Sequence, residues 1–249
     1  MRPEEARSRE RRTILDHRRA AIAAFPLSFV LSCSHSTVVR PAPSYDVLVF
    51  EAPLPAAAAV FVDSDGLRRE VHLGPAATDG YGWCQDSRYP VDAGEALELS
   101  VIGTLEQLTD EVRRTATPLD RETMESRGFD AVIVVRTDTF DARVAGDPFS
   151  GFSGSAELTL AVSAFTSDGL LLREIVYGSG VHAAGGMTCK GGAEAVGLAV
   201  EVAIESAMTQ LGEVIVSSQE LRSSLADREF RRWRGLPACS PRTESRIGP

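Results

Sequence analysis

Phe129-Asp130-Ala131-Val132-Ile133-Val134-Val135 continues as Arg136 to Ala145 (RTDTFDARVA), and the reading of this stretch decides the fold. Its first seven positions are almost continuously apolar, whereas polar and apolar residues alternate beyond Arg136. A strand covered on both faces reads as an unbroken apolar run, and one covered on a single face alternates. The stretch therefore predicts a central strand that leaves a covered region and emerges with one face in water. Ser155 to Thr166 (SAELTLAVSAFT) alternates in turn, Ser167-Asp168-Gly169 is a hairpin signal, and Leu170 to Val181 (LLLREIVYGSGV) returns. These three strands are expected to form an antiparallel meander.

A Gly-rich link, AAGGMTCKGG (183–192), leads from the meander to a helix whose apolar stripe runs through Val196, Val200, Ala203, Ile204, Ala207, Leu211 and Ile215. Upstream, Tyr45 to Ala52 is β-rich, and Ala58 to Asp63 faces Leu67 to Leu73 across Ser64-Asp65-Gly66, which predicts a hairpin. Asp63-x-Asp65-Gly66 is only a fragment of a calcium loop, lacking the later ligands, and reads as a turn. A first long helix is expected with Asp92 as N-cap. Its apolar face carries Leu97, Val101, Leu105, Leu108 and Val112, and Glu98, Glu106, Asp110 and Glu111 take the other face. Between Pro118 and Gly128 a charged connection has room for one helical turn. Strands with few helices predict an α+β domain over residues 45–221, with a mainly antiparallel sheet and two long helices packed on one face. Residues 222–249, rich in Arg, Ser and Pro, read as a frayed helical extension followed by a disordered tail.

The first 33 residues have the character of an export signal. Arg11, Arg12, Arg18 and Arg19 precede an apolar run, Ala20 to Leu31, that ends in Val30-Leu31-Ser32-Cys33. This order resembles a bacterial lipoprotein signal with its lipobox, which implies cleavage before Cys33 and lipidation of its sulfur. Ser34 following the cysteine implies the outer membrane. The apolar run is shorter than the roughly 20 residues a helix needs to span a bilayer. Residues 34–44, SHSTVVRPAPS, suit a flexible tether.

The net charge of -9 is unevenly distributed. Residues 34–221 hold 12 bases and 28 acids, while both ends are basic. Nucleic acid is not an expected partner of a body this acidic, since binding it demands positive surface. Cys33, Cys84, Cys189 and Cys239 form no CxxC or zinc-type pair, His17, His35, His72 and His182 are scattered, and no metal or cofactor is expected. Cys84 and Cys189 each lie in a Gly-rich loop shortly before a long helix. If both helices start at one edge of the sheet, the two can form a disulfide in an oxidising compartment.

Three constellations carry candidate chemistry. Gly151-Phe152-Ser153-Gly154-Ser155 approaches a nucleophile elbow, and Ser153, His182 and Asp168 can be drawn as a triad, but the motif precedes a strand instead of joining strand to helix. Gly185 to Lys190 lacks the Gly-Lys-Ser/Thr ending of a phosphate loop and reads as flexible loop. Asp138, Asp141 and Glu157 are carboxylates on neighbouring strands, with charges on a solvated face as the default reading. Tyr81, Trp83 and Tyr89 gather in one Gly-rich stretch, and two readings stand: partner contact or, more commonly, loop-closing packing.

Gly94-Glu95-Ala96-Leu97, Phe129 to Val135 and the Ala193 to Ile215 helix, in this order along residues 45–217, resemble small envelope lipoproteins. These include the curli-secretion type and the activators of penicillin-binding proteins. The resemblance implies a lipid-anchored binding or scaffold protein at the periplasmic face of the outer membrane, without catalytic residues and with an envelope protein or glycan as partner. The long amphipathic insertion of a secretion pore is not evident. An envelope hydrolase with an unrecognised carboxylate or serine site is the alternative expectation.

Overall fold

The computed structural model describes residues 54–73, 84, 86–147, 151–185 and 188–234, with side chains through residue 230 except that of 147. Cys33, the 34–44 tether, the strand expected over 45–52, Tyr81, Trp83 and Cys239 lie outside the described residues.

Leu54–Asp63 forms β1, and Ala56, Ala58 and Val60 turn one of its faces into the core. The chain then reverses, with the Leu67 N–H donating to the Ser64 carbonyl at 3.3 Å and Gly66 taking a φ of 90°. The Asp65 N–H donates to the Asp63 carboxylate at 3.2 Å, so this string serves the turn. The hairpin expected here does not form. Arg68–His72 (β2) pairs antiparallel with Arg88–Asp92 (β3) in a small separate sheet, because both edges of β1 are occupied by parallel partners.

Gly94–Leu108 is α1. Its N-cap position is Ala93 rather than Asp92, and the Asp92 carboxylate accepts from the Gly94 N–H at 3.3 Å. The expected helix is also too long by one turn. The Thr109 N–H and hydroxyl both donate to the Leu105 carbonyl, which closes the helix, and Thr109–Arg114 leaves as β4. The charged residues Asp110, Glu111, Arg113 and Arg114 around Val112 suit an edge strand, since their charges discourage further pairing. β1, α1 and β4 thus form a parallel crossover.

Arg121–Ser126 is α2, capped by the Asp120 carboxylate, which accepts from the Thr123 N–H at 2.7 Å. That bond holds the Asp120 carboxyl below its usual range. Ala131–Asp147 (β5), Gly151–Thr166 (β6) and Gly169–Ala184 (β7) form the antiparallel meander. The five-stranded sheet has the order β4-β1-β5-β6-β7. The fold is α+β, and the expectation of a mainly antiparallel sheet is met in part, since β5, β6 and β7 pair antiparallel while β1 runs parallel to both neighbours.

Lys190–Ser217 is α3, lying on the helix-bearing face with α1. Its residues Ala195, Ala199 and Ala203 meet Gly154, Gly178 and Gly180 on β6 and β7 so closely that a methyl on any of these glycines would come within 3.0 Å of a helix carbonyl oxygen. Gly191 and Gly192 are likewise closely packed, against the rings of Phe152 and Tyr89, so they serve close approach rather than loop flexibility.

Gln219–Arg234 is α4, and it crosses the domain boundary expected at residue 221. Leu221 and Leu225 are buried in the main core, and Arg228 donates to the Asp130 carbonyl at 3.2 Å. The Arg-rich composition conceals this apolar spacing of four, which places both leucines on one helical face.

Candidate functional site

Cross-strand neighbours share a face, so the register of the meander assigns each side chain to a side of the sheet. Val135, Val162, Leu160 and Val176 face the long helices. Val132 with Phe165, Val134 with Ser163 and Arg173, and Arg136 with Ala161 and Ile175 face the other way. The register shifts at Asp138, between Thr137 and Thr139. Beyond this bulge the even-numbered Phe140, Ala142 and Val144 face the core.

The face away from the long helices is only partly covered. Met124 of α2 and Phe129 pack on Ala59, Val132 and Val134 in a second, smaller core, with Leu119 at its margin. This explains the unbroken apolar run at 131–135, where both faces of β5 are buried. Past that lid the apolar side chains continue into solvent. Phe165, Leu170, Ile175 and Tyr177 are exposed, Tyr177 at 60% and Val181 farther along β7 at 75%.

Between α2 and β7 lies a groove of about 1120 Å³. Val132, Val134 and Ala161 contribute to its lining, with Leu119 and Met124 on the α2 side and Ile175 and Tyr177 on the β7 side. Arg121, Arg136 and Arg173 also line it, with Asp120 and Glu174 as the acidic members of the lining. Arg121 pairs with Glu125 at 3.2 Å, whereas Arg136 and Arg173 find no ion-pair or hydrogen-bond partner among the described residues. Such a site offers an apolar bed with a few placed charges, the usual make-up of a ligand or partner surface.

The triad does not assemble. Ser153 and His182 lie one register position apart on adjacent strands and so point to opposite faces. Asp168 lies in the turn at the far end of the same hairpin, about 45 Å along the strand at the rise of an extended chain. It accepts a hydrogen bond from the Ser224 hydroxyl at 3.3 Å.

The carboxylate group is partly assembled. Asp141 and Glu157 are directly opposite in register, but Asp141 is held by Arg69 at 2.9 Å and Arg143 at 2.7 Å beside a second hollow of about 1010 Å³. Among the described residues no group of three or more His, Cys, Asp or Glu side chains is placed to hold a metal, and no helix is long and apolar enough to cross a membrane.

Tyr89, expected in a Gly-rich loop with partner contact or packing as its two readings, lies on β3 and is fully buried against Gly192, which rules out contact and leaves packing. Pro90 and the Gly-rich run before it gave a loop signal, while the pairing of Val71 with Tyr89 made this segment a strand. Burial pushes the Tyr89 hydroxyl above its usual pKa, an effect partly offset by a hydrogen bond with Ser87. Beside it, Cys84 and Cys189 form a disulfide with Cα atoms 5.5 Å apart. It ties the loop before β3 and α1 to the N-terminus of α3.

Sequence reasoning missed the groove because its components come from β5, β6, β7 and the 118–124 connection. The exposed apolar positions at Ile175, Tyr177 and Val181, on the polar phase of an alternating strand, were the available signal.

No known family matches the chain, and no curated protein matches it. Among the solved structures similar to it in part are three bacterial proteins. A Xanthomonas campestris protein of the DUF330 family shares 15% identity at a TM-score of 0.42, over 80% of this chain and 99% of that one. A homolog of the neuraminyllactose-binding hemagglutinin from Helicobacter pylori shares 11% at 0.39, over 72% and 92%. A hypothetical protein of Chlamydia trachomatis shares 12% at 0.35, over 68% and 97%.

Proposed function

We propose that this chain is an exported binding or scaffold protein of the bacterial cell envelope, anchored through lipid on Cys33 at the periplasmic face of the outer membrane. Its working surface is the uncovered half of the sheet. The observation that carries the binding role is the groove between α2 and β7, where Phe165, Ile175 and Tyr177 stand exposed beside Arg136 and Arg173, which have no partner among the described residues. Contiguous apolar surface of this kind marks interaction sites in soluble domains.

Export is supported by separate features. The basic, apolar and small-residue order ending at Cys33 suits a lipoprotein signal, and a stable Cys84–Cys189 disulfide suits an oxidising compartment. The resemblance to small envelope lipoproteins favours the same reading. Tyr89 is no longer a contact candidate, and the surface offered to a protein or glycan partner centres on Tyr177.

Affinity recovery from the native envelope, with the anchor intact, tests the role. Ile175→Asp together with Tyr177→Ala removes the apolar surface without touching the core, so it should abolish partner recovery and leave the melting curve in place. Full recovery with this variant would contradict the proposal.

A further inference from the structure

We propose that the groove between α2 and β7 binds an anionic amphiphile, a single apolar chain ending in one carboxylate or phosphate. This deepens the binding reading above by naming the chemistry the surface takes.

Arg136 and Arg173 are the groove's two cations without an ion-pair or hydrogen-bond partner among the described residues. Arg136 pairs across the sheet with Ala161, and Arg173 with Ser163, so they approach one patch of floor from β5 and β7. Two strand spacings and a two-residue offset put their Cα atoms about 12 Å apart. Two extended arginine side chains close that gap, and both guanidinium groups reach a single anion above Ala161 and Ser163. The floor between them is small and leaves room for a head group, with the Ser163 hydroxyl on the same face as a further donor.

Charge complementarity points the same way. Residues 34–221 carry 12 bases against 28 acids, and most arginines of the small sheet and the β5 bulge region are neutralised by Asp92, Glu70 or Asp141. Arg136 and Arg173 are lined into the groove with no such partner among the described residues. Guanidinium forks match carboxylate and phosphate geometry. From the two arginines the exposed floor runs to Phe165 and Leu170, with Val134 and Met124 forming its inner wall, which is an apolar track leading away from the charge. A head at the arginines with a chain along this track satisfies both halves. The volume of about 1120 Å³ lies just above the roughly 300 to 1,000 Å³ of small-molecule sites and leaves room for such a molecule.

Calorimetric titration of the full chain carrying Cys33→Ser, so that no attached acyl group competes, decides the matter. Laurate and dodecyl phosphate, each below its micelle concentration, should saturate at one molecule per chain, and dodecanol should bind at least tenfold more weakly. Arg136→Gln with Arg173→Gln should reduce laurate to the affinity of dodecanol. The melting curve should not move, because both side chains are exposed. Equal binding of laurate and dodecanol, absence of saturation, or an unchanged affinity in the double variant would overturn the proposal. So would a groove that takes an acidic apolar peptide and not laurate. Partner recovery and the processing of Cys33 are separate readouts, so the broader proposal stands or falls independently.

Discussion

Gly178 of β7 lies directly beneath the carbonyl oxygen of Ala203 of α3, with no room for a methyl group between them. Gly180 and Gly154 stand in the same relation to Ala199 and Ala195, so the four-residue spacing on the helix meets glycines on two adjacent strands. The long helix is thereby seated backbone to backbone on β6 and β7. Gly178→Ala should lift the helix or bend the strand and cost about 1 to 3 kcal/mol, the range for overpacking a core. Gly185→Ala is the control, since nothing lies within 4 Å of its added carbon. Urea unfolding of the two variants checks the difference.

The Cys84–Cys189 bond closes 105 residues of chain. In the chain-entropy account such a link stabilises the fold by roughly 4 to 5 kcal/mol. Cys84→Ser with Cys189→Ser should lower the unfolding midpoint accordingly, and reducing agent should lower that of the unaltered protein but not of the variant. An equal response to reductant in both would mean that the link is not formed.

The last helix belongs to the fold. Leu225 is 2% exposed, and Leu225→Ala should cost about 2 to 4 kcal/mol, as core leucine truncations do. Chemical denaturation reads this directly. A loss near zero would return the segment to the status of a tail.

Buried Tyr89 sets an alkaline limit. Its raised pKa, caused first by burial, means that the folded state holds the phenol proton more tightly than the unfolded chain does. Stability from this group is complete below the unfolded value of about 10 and falls as pH rises from there through the higher folded value. Tyr89→Phe should flatten the decline in stability expected as pH rises above about 10. An unaltered pH profile in that variant would remove Tyr89 as the cause.

The meander could be read from the sequence because alternation, a turn and the return each have a local signature. The same stretch marked where β5 stops being covered on both faces, since Val132 and Val134 are apolar on the side that α2 and Phe129 close. Parallel pairing had no such signature. Leu108 and Val112 continue the helical period, and only the two bonds from Thr109 to the Leu105 carbonyl show the chain leaving the helix for β4. Tyr89 sat among glycines that suggested a loop, yet Gly192 is small because that ring packs on it. The groove was hidden for a different reason. It is built from positions spread between Pro118 and Tyr177, and two arginines on separate strands, without a partner among the described residues, become a site only once the register is known.

Intact-mass analysis of the protein extracted from native membranes tests the central claim that this is a lipid-anchored envelope protein. The account predicts a chain beginning at Cys33 and heavier than its sequence by a diacylglyceryl group and an amide-linked acyl chain, with Cys33→Ser abolishing both. An unprocessed chain, or a mature chain whose Cys33 carries no lipid, would contradict it.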